Sequence, residues 1–166
     1  ASATPDLFLD GSGKPLAFFE AVVGGRSVGT PGVLRMLEME HNRHGKQPWS
    51  TLFAEPIARA QNGFTVTPRM NKMITGDAHL MTQPAARKAF YDAAGQPIAV
   101  GATYASPELA QSFRTIAENG ADAFYRGPLA KRIVDVVNNH ENPGRLQAID
   151  LSNYEPKVRK PIEISY

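Results

Sequence analysis

A glycine-rich stretch near the N-terminus constrains the fold more than any other part of the sequence. Four of the nine residues from Gly24 to Gly32 are glycine, and the stretch joins an apolar run to the first clear helical pattern. Such a turn can bind phosphate through backbone N–H groups, and Gly24 and Gly29 have the spacing of a Walker A loop. Thr30 and Pro31, however, stand where that motif needs Lys and Ser or Thr. We therefore predict a tight turn in which glycine lets backbone segments approach closely.

Composition and charge indicate an ordinary globular chain. Its 166 residues are enough for one domain with a buried core. The net charge is +2 and the basic residues alternate with acidic ones, which argues against a nucleic-acid-binding surface. No apolar run approaches the roughly 18 residues of a membrane span. The absence of cysteine excludes disulfides, thiolate metal sites and a cysteine nucleophile.

Helical periodicity dominates the sequence, and several helix starts are marked by Ser or Thr followed by Pro. Helices are predicted from Thr30 to Gly45, Pro48 to Asn62 (kinked or split at Pro56), Thr67-Pro68 onward, Pro84 to Asp92, Ser106 to Gly120, Ala121 to Tyr125 and Pro128 to His140, with a short turn from Asp150 to Tyr154. The predicted inward residues include Met73, Leu109, Ile133, Val136 and Val137. The fold class is therefore mainly α, an orthogonal-bundle-like helical subdomain.

The two ends of the sequence indicate a piece of a longer protein. Val158, Ile162 and Ile164 alternate with polar residues, which predicts a strand that stops at Tyr166. The first residue is Ala1, without an initiating Met or a signal peptide. We therefore expect a single helical segment, 1–166, truncated at both ends and finishing in a strand.

Two histidines have a spacing that can bind a metal ion. His41 and His44 lie three residues apart on one predicted helix face, but only Glu38 and Glu40 are nearby as further ligands, and Arg43 would repel a cation. A solvated helix end is the better interpretation. His79 and His140 likewise fall at predicted helix ends, where a donor or cation is locally favourable.

No catalytic set can be assembled from these residues. Motifs such as G-x-S-x-G and H-E-x-x-H are absent, and Asp77 and Glu118 cannot be placed in one cleft from sequence. An N-terminal nucleophile would require Ser2 with Ala1 removed. Arg26, beside the glycine turn, is predicted to be solvated or structural. We assign no catalytic, substrate-binding or metal-binding residue and no cofactor.

Several stretches, taken in order, resemble the large subunit of γ-glutamyltransferase (γ-glutamyltranspeptidase). They cover nearly the whole sequence: the glycine-rich stretch to Gly32, the helix ending in Asn62-Gly63-Phe64, the run Ile116 to Gly127 (IAENGADAFYRG), and Asp150-Leu151 with Tyr154 and Pro161-Ile162. The run from Ile116 to Gly127 is the most specific of these.

The resemblance implies an αββα N-terminal-nucleophile hydrolase that cleaves itself to expose a threonine. That threonine would attack the γ-glutamyl carbonyl, and an arginine in an R-E-x-A-P motif would bind the substrate α-carboxylate. We identify neither the self-cleavage threonine nor the R-E-x-A-P motif in residues 1–166, so no functional residue is transferred to this sequence. The segment is expected to be scaffold and inactive by itself.

The resemblance also implies the partners and location of the parent enzyme. The partners would be the small subunit, the rest of the large subunit and a glutathione-like substrate, with no nucleic acid and no membrane span. The location would be the periplasm or outside the cell. A related cephalosporin (glutaryl) acylase and a non-catalytic helical interaction module remain alternatives.

Overall fold

A computed structural model describes residues 3–166 and divides them into two compact units. One unit is continuous, Pro48–Glu118, whereas the other combines the chain up to Gln47 with Asn119–Tyr166. We call these the continuous unit and the composite unit. We predicted that residues 1–166 are a single helical segment cut from a longer protein. That assignment stays a prediction.

Helices provide most of the regular structure, as predicted. In chain order they are α1 (Phe18–Val22), α2 (Val33–His44), a 3₁₀ helix (Trp49–Phe53), α3 (Ala54–Asn62), α4 (Pro68–Gly76), a 3₁₀ turn (Leu80–Thr82), α5 (Pro84–Phe90), α6 (Pro107–Asn119), α7 (Asp122–Tyr125), α8 (Gly127–Asn138) and α9 (Ala148–Ser152). None of the helices in the described part of the chain is long and apolar enough to cross a membrane.

Two of the three predicted Ser/Thr-Pro helix starts are confirmed. The hydroxyl oxygen of Thr67 accepts a hydrogen bond from the Met70 N–H at 3.2 Å and caps α4. Ser106 precedes α6, which begins at Pro107. The predicted start at Thr30-Pro31 is wrong, because α2 begins only at Val33 and has Gly32 as its N-cap. Tertiary contacts of Pro31, described below, set this later start.

The predicted break in the second helix is confirmed, but it lies before Pro56. The 3₁₀ helix ends at Phe53 and α3 begins at Ala54, so Pro56 is in the first turn of α3. A first-turn residue needs no N–H donor, and proline is tolerated there. Gly63 ends α3 with φ +87°, where a side chain would overlap Thr103 and Tyr104.

Three residues predicted to point inward are exposed. The exposed fractions are 64% for Met73, 45% for Leu109 and 70% for Val136. Small residues are buried on two of these helices instead: Ala110 in α6 and Ala130 in α8. Periodicity defined an apolar arc on each helix but not the part of that arc that the neighbouring helix covers.

The core of the composite unit is formed by α7, α8, α9 and the segment before α9. Its buried members are Ala121, Tyr125, Ala130, Val137, Leu146 and Leu151, and partly buried Leu34, Phe124, Ile133, Val134 and Tyr154 pack against them. The central position of Tyr125, which is fully buried, makes α7 the element around which α2, α8 and α9 are arranged.

The β structure lies elsewhere than predicted. In the described chain, β1 (Phe64–Thr65) pairs antiparallel with β2 (Thr103–Tyr104), and Phe64 lies opposite Tyr104. The predicted terminal strand, from Val158 to Tyr166, is wrong, because these residues form neither helix nor strand. A strand requires a hydrogen-bonding partner, and no described segment pairs with these residues.

Candidate functional site

A compact arrangement of charged and aromatic side chains joins α2 to α7. Arg35 and Glu38 project from α2, and Asp122 and Tyr125 lie on α7. We call these four residues, together with Tyr154, the Tyr125 cluster. The spacing of Arg35 and Glu38 places both on one helix face, since residues three apart are neighbours on a helix surface.

The hydroxyl of Tyr125 fixes the start of α2. It donates a hydrogen bond to the Pro31 carbonyl at 2.6 Å and accepts one from the Arg35 N–H at 3.1 Å. The ring of Tyr154 stacks on the ring of Tyr125 with 6.0 Å between centroids, and a side chain on Gly32 would overlap the Tyr154 hydroxyl. The Pro31 carbonyl is thus engaged by a tyrosine from α7, which explains why α2 begins after it.

The guanidinium of Arg35 bridges the two acidic residues of the cluster. Arg35 Nη2 lies 2.6 Å from Asp122 Oδ1, and Nη1 lies 3.0 Å from Glu38 Oε2. The same guanidinium stands 4.6 Å above the centre of the Tyr125 ring, a cation–π geometry. The second Glu38 oxygen, Oε1, accepts a hydrogen bond from the Ala121 N–H at 2.6 Å.

These contacts shift the pKa values of three groups, Asp122, Arg35 and Tyr125. The hydrogen bond from Arg35 lowers the pKa of Asp122 below its ordinary value. Desolvation opposes the charge of Arg35, but hydrogen bonds to Asp122 and Glu38 outweigh it and raise the Arg35 pKa. Burial raises the pKa of the Tyr125 hydroxyl. Asp122 is therefore ionised and Tyr125 neutral at pH 7.

The Tyr125 cluster is suited to holding helices together. Both oxygens of Glu38 and the Tyr125 hydroxyl already have hydrogen-bond partners within the chain. Among the five described residues of the cluster, no Ser, Thr or Cys lies beside a general base, which acyl transfer at such a nucleophile would require. The cluster therefore positions α2 on α7, and its residues receive no catalytic role.

The glycine-rich stretch forms the close backbone contact that was predicted. The Gly25 N–H donates to the Asn142 carbonyl at 2.8 Å, and a methyl group on Gly25 would overlap the Val137 carbonyl oxygen. A methyl group on Gly144 would likewise overlap the Gly25 carbonyl oxygen. Arg26 donates from Nε to Asn142 Oδ1 at 2.9 Å, consistent with the structural role proposed for it.

The predicted histidine and acidic candidates make local contacts. His41 Nε2 lies 2.8 Å from the Gln47 carbonyl oxygen, whereas His44 lies 3.7 Å from Glu40. Asp77 accepts hydrogen bonds from the N–H groups that follow it and caps the 3₁₀ turn. Within residues 3–166, no three His, Asp or Glu side chains are grouped closely enough to bind a metal ion. Ser2 lies outside the described residues.

Sequence reasoning missed the Tyr125 cluster. Arg35 and Asp122 are 87 residues apart, and neither carries a local motif that signals the other. The available signal was the run Ile116 to Gly127, which contains both Asp122 and Tyr125 and carried the strongest part of the resemblance. Its specificity is now explained in part, because two of its residues fix the position of α2.

This helical fold is similar to solved structures of a γ-glutamyltranspeptidase and of a cephalosporin acylase. The γ-glutamyltranspeptidase of Helicobacter pylori superposes with a TM-score of 0.90 and 25% identity over 97% of this chain and 46% of that chain. A cephalosporin acylase from Bacillus halodurans gives a TM-score of 0.69 and 27% identity over 86% of this chain and 27% of that chain.

The family model for gamma-glutamyltranspeptidase matches residues 1–166, and the chain belongs to this family. A relative from Bacillus subtilis (strain 168), a glutathione hydrolase proenzyme, is 35% identical over 162 residues. That match covers 98% of this chain but 27% of the relative, so the chain spans about a quarter of the relative's length.

Proposed function

We propose that this chain is a scaffold segment in the large subunit of a γ-glutamyltransferase precursor. The observation that carries the proposal is the family match over residues 1–166. The parent enzyme transfers the γ-glutamyl group of a glutathione-like donor to water or to an amino-acid acceptor. Its partners are the small subunit and the rest of the large subunit, in keeping with the proenzyme names of relatives.

The reaction proceeds by two acyl transfers at a threonine outside this segment. The threonine hydroxyl attacks the γ-carbonyl, the C–N bond breaks, and the departing amine takes the proton. The resulting ester is then cleaved by water or by an acceptor amine, which restores the hydroxyl. The segment contributes structure: the Tyr125 cluster and the glycine contact hold its helices in place.

The test compares the precursor with residues 1–166 alone. We expect the matured precursor to release nitroaniline from a γ-glutamyl anilide, whereas the isolated segment releases none. Turnover by the segment after removal of contaminating enzyme would overturn the scaffold role. If the enzyme formed by self-cleavage of the precursor is inactive on γ-glutamyl anilides, the γ-glutamyltransferase assignment is overturned.

A cephalosporin (glutaryl) acylase is the second candidate, supported by the similarity to the Bacillus halodurans enzyme. The higher TM-score with the Helicobacter pylori enzyme favours γ-glutamyl transfer. Rates on a glutaryl amide and on a γ-glutamyl amide, measured with the same preparation, decide between them. We also infer a periplasmic or secreted location from the family resemblance, which cell fractionation tests.

A further inference from the structure

The loop after α8 is tied to the glycine-rich stretch by Asn142. Its carbonyl oxygen accepts hydrogen bonds from the N–H groups of Gly25 at 2.8 Å and Arg26 at 3.3 Å. Its side-chain oxygen accepts from Arg26 Nε at 2.9 Å, and its side-chain nitrogen donates to the carbonyls of Glu20 at 2.9 Å and Val23 at 2.7 Å. Because backbone carbonyls only accept and a guanidinium only donates, these partners fix the orientation of the side-chain amide.

The fourth polar group of Asn142, its backbone N–H, donates to the ring of His140. The Nδ1 atom of His140 lies 2.9 Å from the Asn142 nitrogen. The ring also lies against the glycine-rich stretch, because a side chain on Gly24 would overlap it. We call His140, Asn142, Gly25 and Arg26 the Asn142 latch, since these residues hold the loop on the glycine-rich stretch.

The hydrogen bond from Asn142 fixes the protonation state of the His140 ring. A backbone N–H can only donate, so Nδ1 must present a lone pair, and the hydrogen-bond network assigns the proton of the ring to Nε2. In an imidazolium, both ring nitrogens carry protons and both are donors. A proton on Nδ1 would face the Asn142 N–H, and the hydrogen bond could not form.

We propose that the Asn142 latch is a proton-sensitive switch, closed while His140 is neutral and opened when its ring gains a second proton. A histidine outside such a contact titrates at about pH 6.5. Since the open latch binds one proton more than the closed latch, the stability that the latch contributes is present above about pH 6.5 and is lost as the pH falls below it. The switch is independent of the substrate of the parent enzyme and so goes beyond the proposed function.

The two histidines of α2 make contacts that acid preserves. His41 Nε2 lies 2.8 Å from the Gln47 carbonyl oxygen, which accepts a hydrogen bond from a neutral or a charged ring. His44 lies 3.7 Å from the Glu40 carboxylate, which attracts a charged ring. The contact at His140 differs in sign, because there the ring nitrogen is the acceptor.

The charged groups around the latch do not replace the lost hydrogen bond. The elements that meet here are α1, the glycine-rich stretch, α8 and the loop after it, and their charged side chains are Glu20, Arg26, Lys131, Arg132, Asp135, Glu141 and Arg145. Arg26 already binds Asn142, so a protonated ring adds positive charge to a loop that holds a guanidinium. Glu20 accepts from the Ala17 N–H, and Asp135 pairs with Lys131 at 2.6 Å. Glu141 is exposed, where its charge is screened.

Hydrogen exchange in the precursor tests the switch between pH 7.5 and pH 5.5, a range in which carboxylates of ordinary pKa stay ionised. After correction for intrinsic exchange rates, we expect the Gly25 and Asn142 amides to lose about tenfold in protection, the change produced when opening takes up one proton at about pH 6.5. Helix α6 contains no histidine and should change by less than about twofold. A loss below about threefold at both amides, or an equal loss in α6, would overturn the switch.

His140→Asn separates the acceptor from the charge. An asparagine side chain accepts a hydrogen bond from the N–H two residues further on and does not titrate, so this variant should hold its protection to within about twofold over the same pH range. His44→Asn, at an exposed position on α2, is the matched control and should keep the wild-type loss. A loss in His140→Asn as large as in the wild type would contradict the role of this ring.

A measurement on the wild type alone remains decisive if His140→Asn does not fold. Nitrogen-15 NMR of the histidine-labelled precursor, with the ring identified by its proximity to the Gly24 α-protons, should show Nδ1 of His140 without a proton at pH 7.5 and Nε2 with one. A proton on Nδ1 at that pH would overturn the switch. Turnover of a γ-glutamyl anilide tests the proposed function separately, because the state of the latch does not depend on which amide the enzyme cleaves.

Discussion

At the scale of single residues, the most consequential side chain is Tyr125. It is fully buried, and its hydroxyl satisfies both the Pro31 carbonyl and the Arg35 N–H at the start of α2. Removing the oxygen would leave two polar groups without this partner, and such groups are costly when water cannot reach them. The hydroxyl, more than the ring, is therefore expected to set the position of α2.

Tyr125→Phe should lower the free energy of unfolding by about 1–3 kcal/mol, the cost of leaving buried polar groups unpaired. Tyr104→Phe is the matched control, because its ring stacks on Phe90 while its hydroxyl has no hydrogen bond among the described residues. That control should change the free energy by less than about 0.5 kcal/mol. Urea denaturation measures both, and equal losses would refute a special role for the Tyr125 hydroxyl.

At the scale of elements, the glycine-rich stretch offers an internal comparison between two glycines. Gly25 lies against the end of α8 and the loop that follows it, without space for a methyl group. Gly29, four residues later, has nothing within 4 Å of a Cβ atom. The two positions therefore separate close packing from a general preference for glycine.

Gly25→Ala should destabilise the chain by about 1–3 kcal/mol, because the turn that contains residue 25 must move away from the Val137 carbonyl. Gly29→Ala should change stability by no more than about 0.5 kcal/mol. Thermal denaturation of the two variants beside the wild type provides the measurement. A harmless Gly25→Ala would show that the backbones need not approach this closely.

Sequence reasoning succeeded for elements whose signals are local and failed where a distant partner decides. Thr67-Pro68 starts a helix because the Thr67 hydroxyl caps the helix it precedes. Thr30-Pro31 has the same local chemistry, but Tyr125, more than 90 residues away, takes the Pro31 carbonyl. The alternation around Ile162 likewise describes a segment able to pair, and pairing depends on a strand that residues 3–166 do not supply.

At the scale of the whole molecule, the composite unit contains a set of carboxylates with lowered pKa values. The main causes are the Thr4 hydroxyl at Asp6, the Ser12 hydroxyl at Asp10, Arg35 at Asp122 and the Gln147 N–H at Asp150. Each contributes stability above its ordinary pKa of 3.8. That contribution is lost as the pH falls through the lowered folded value.

Acid should therefore loosen the composite unit before the continuous one. We expect hydrogen-exchange protection to fall more in the composite unit than in Pro48–Glu118 as the pH is lowered from about 5 through the lowered folded pKa values. Asp122→Asn should narrow the difference in protection between the two units, since the asparagine side chain is neutral and does not titrate. Uniform loss of protection across both units would contradict the prediction.

The composite unit also has a consequence for the order of events during synthesis. Pro48–Glu118 is continuous and can fold once its own residues have left the ribosome. Residues 3–47 must instead wait until Tyr125, Asn142 and Leu151 have been made, because Pro31, Gly25 and the core depend on them. During that interval residues 3–47 lack the partners that later cover them, so they stay exposed to aggregation or to chaperone binding for longer than Pro48–Glu118 does.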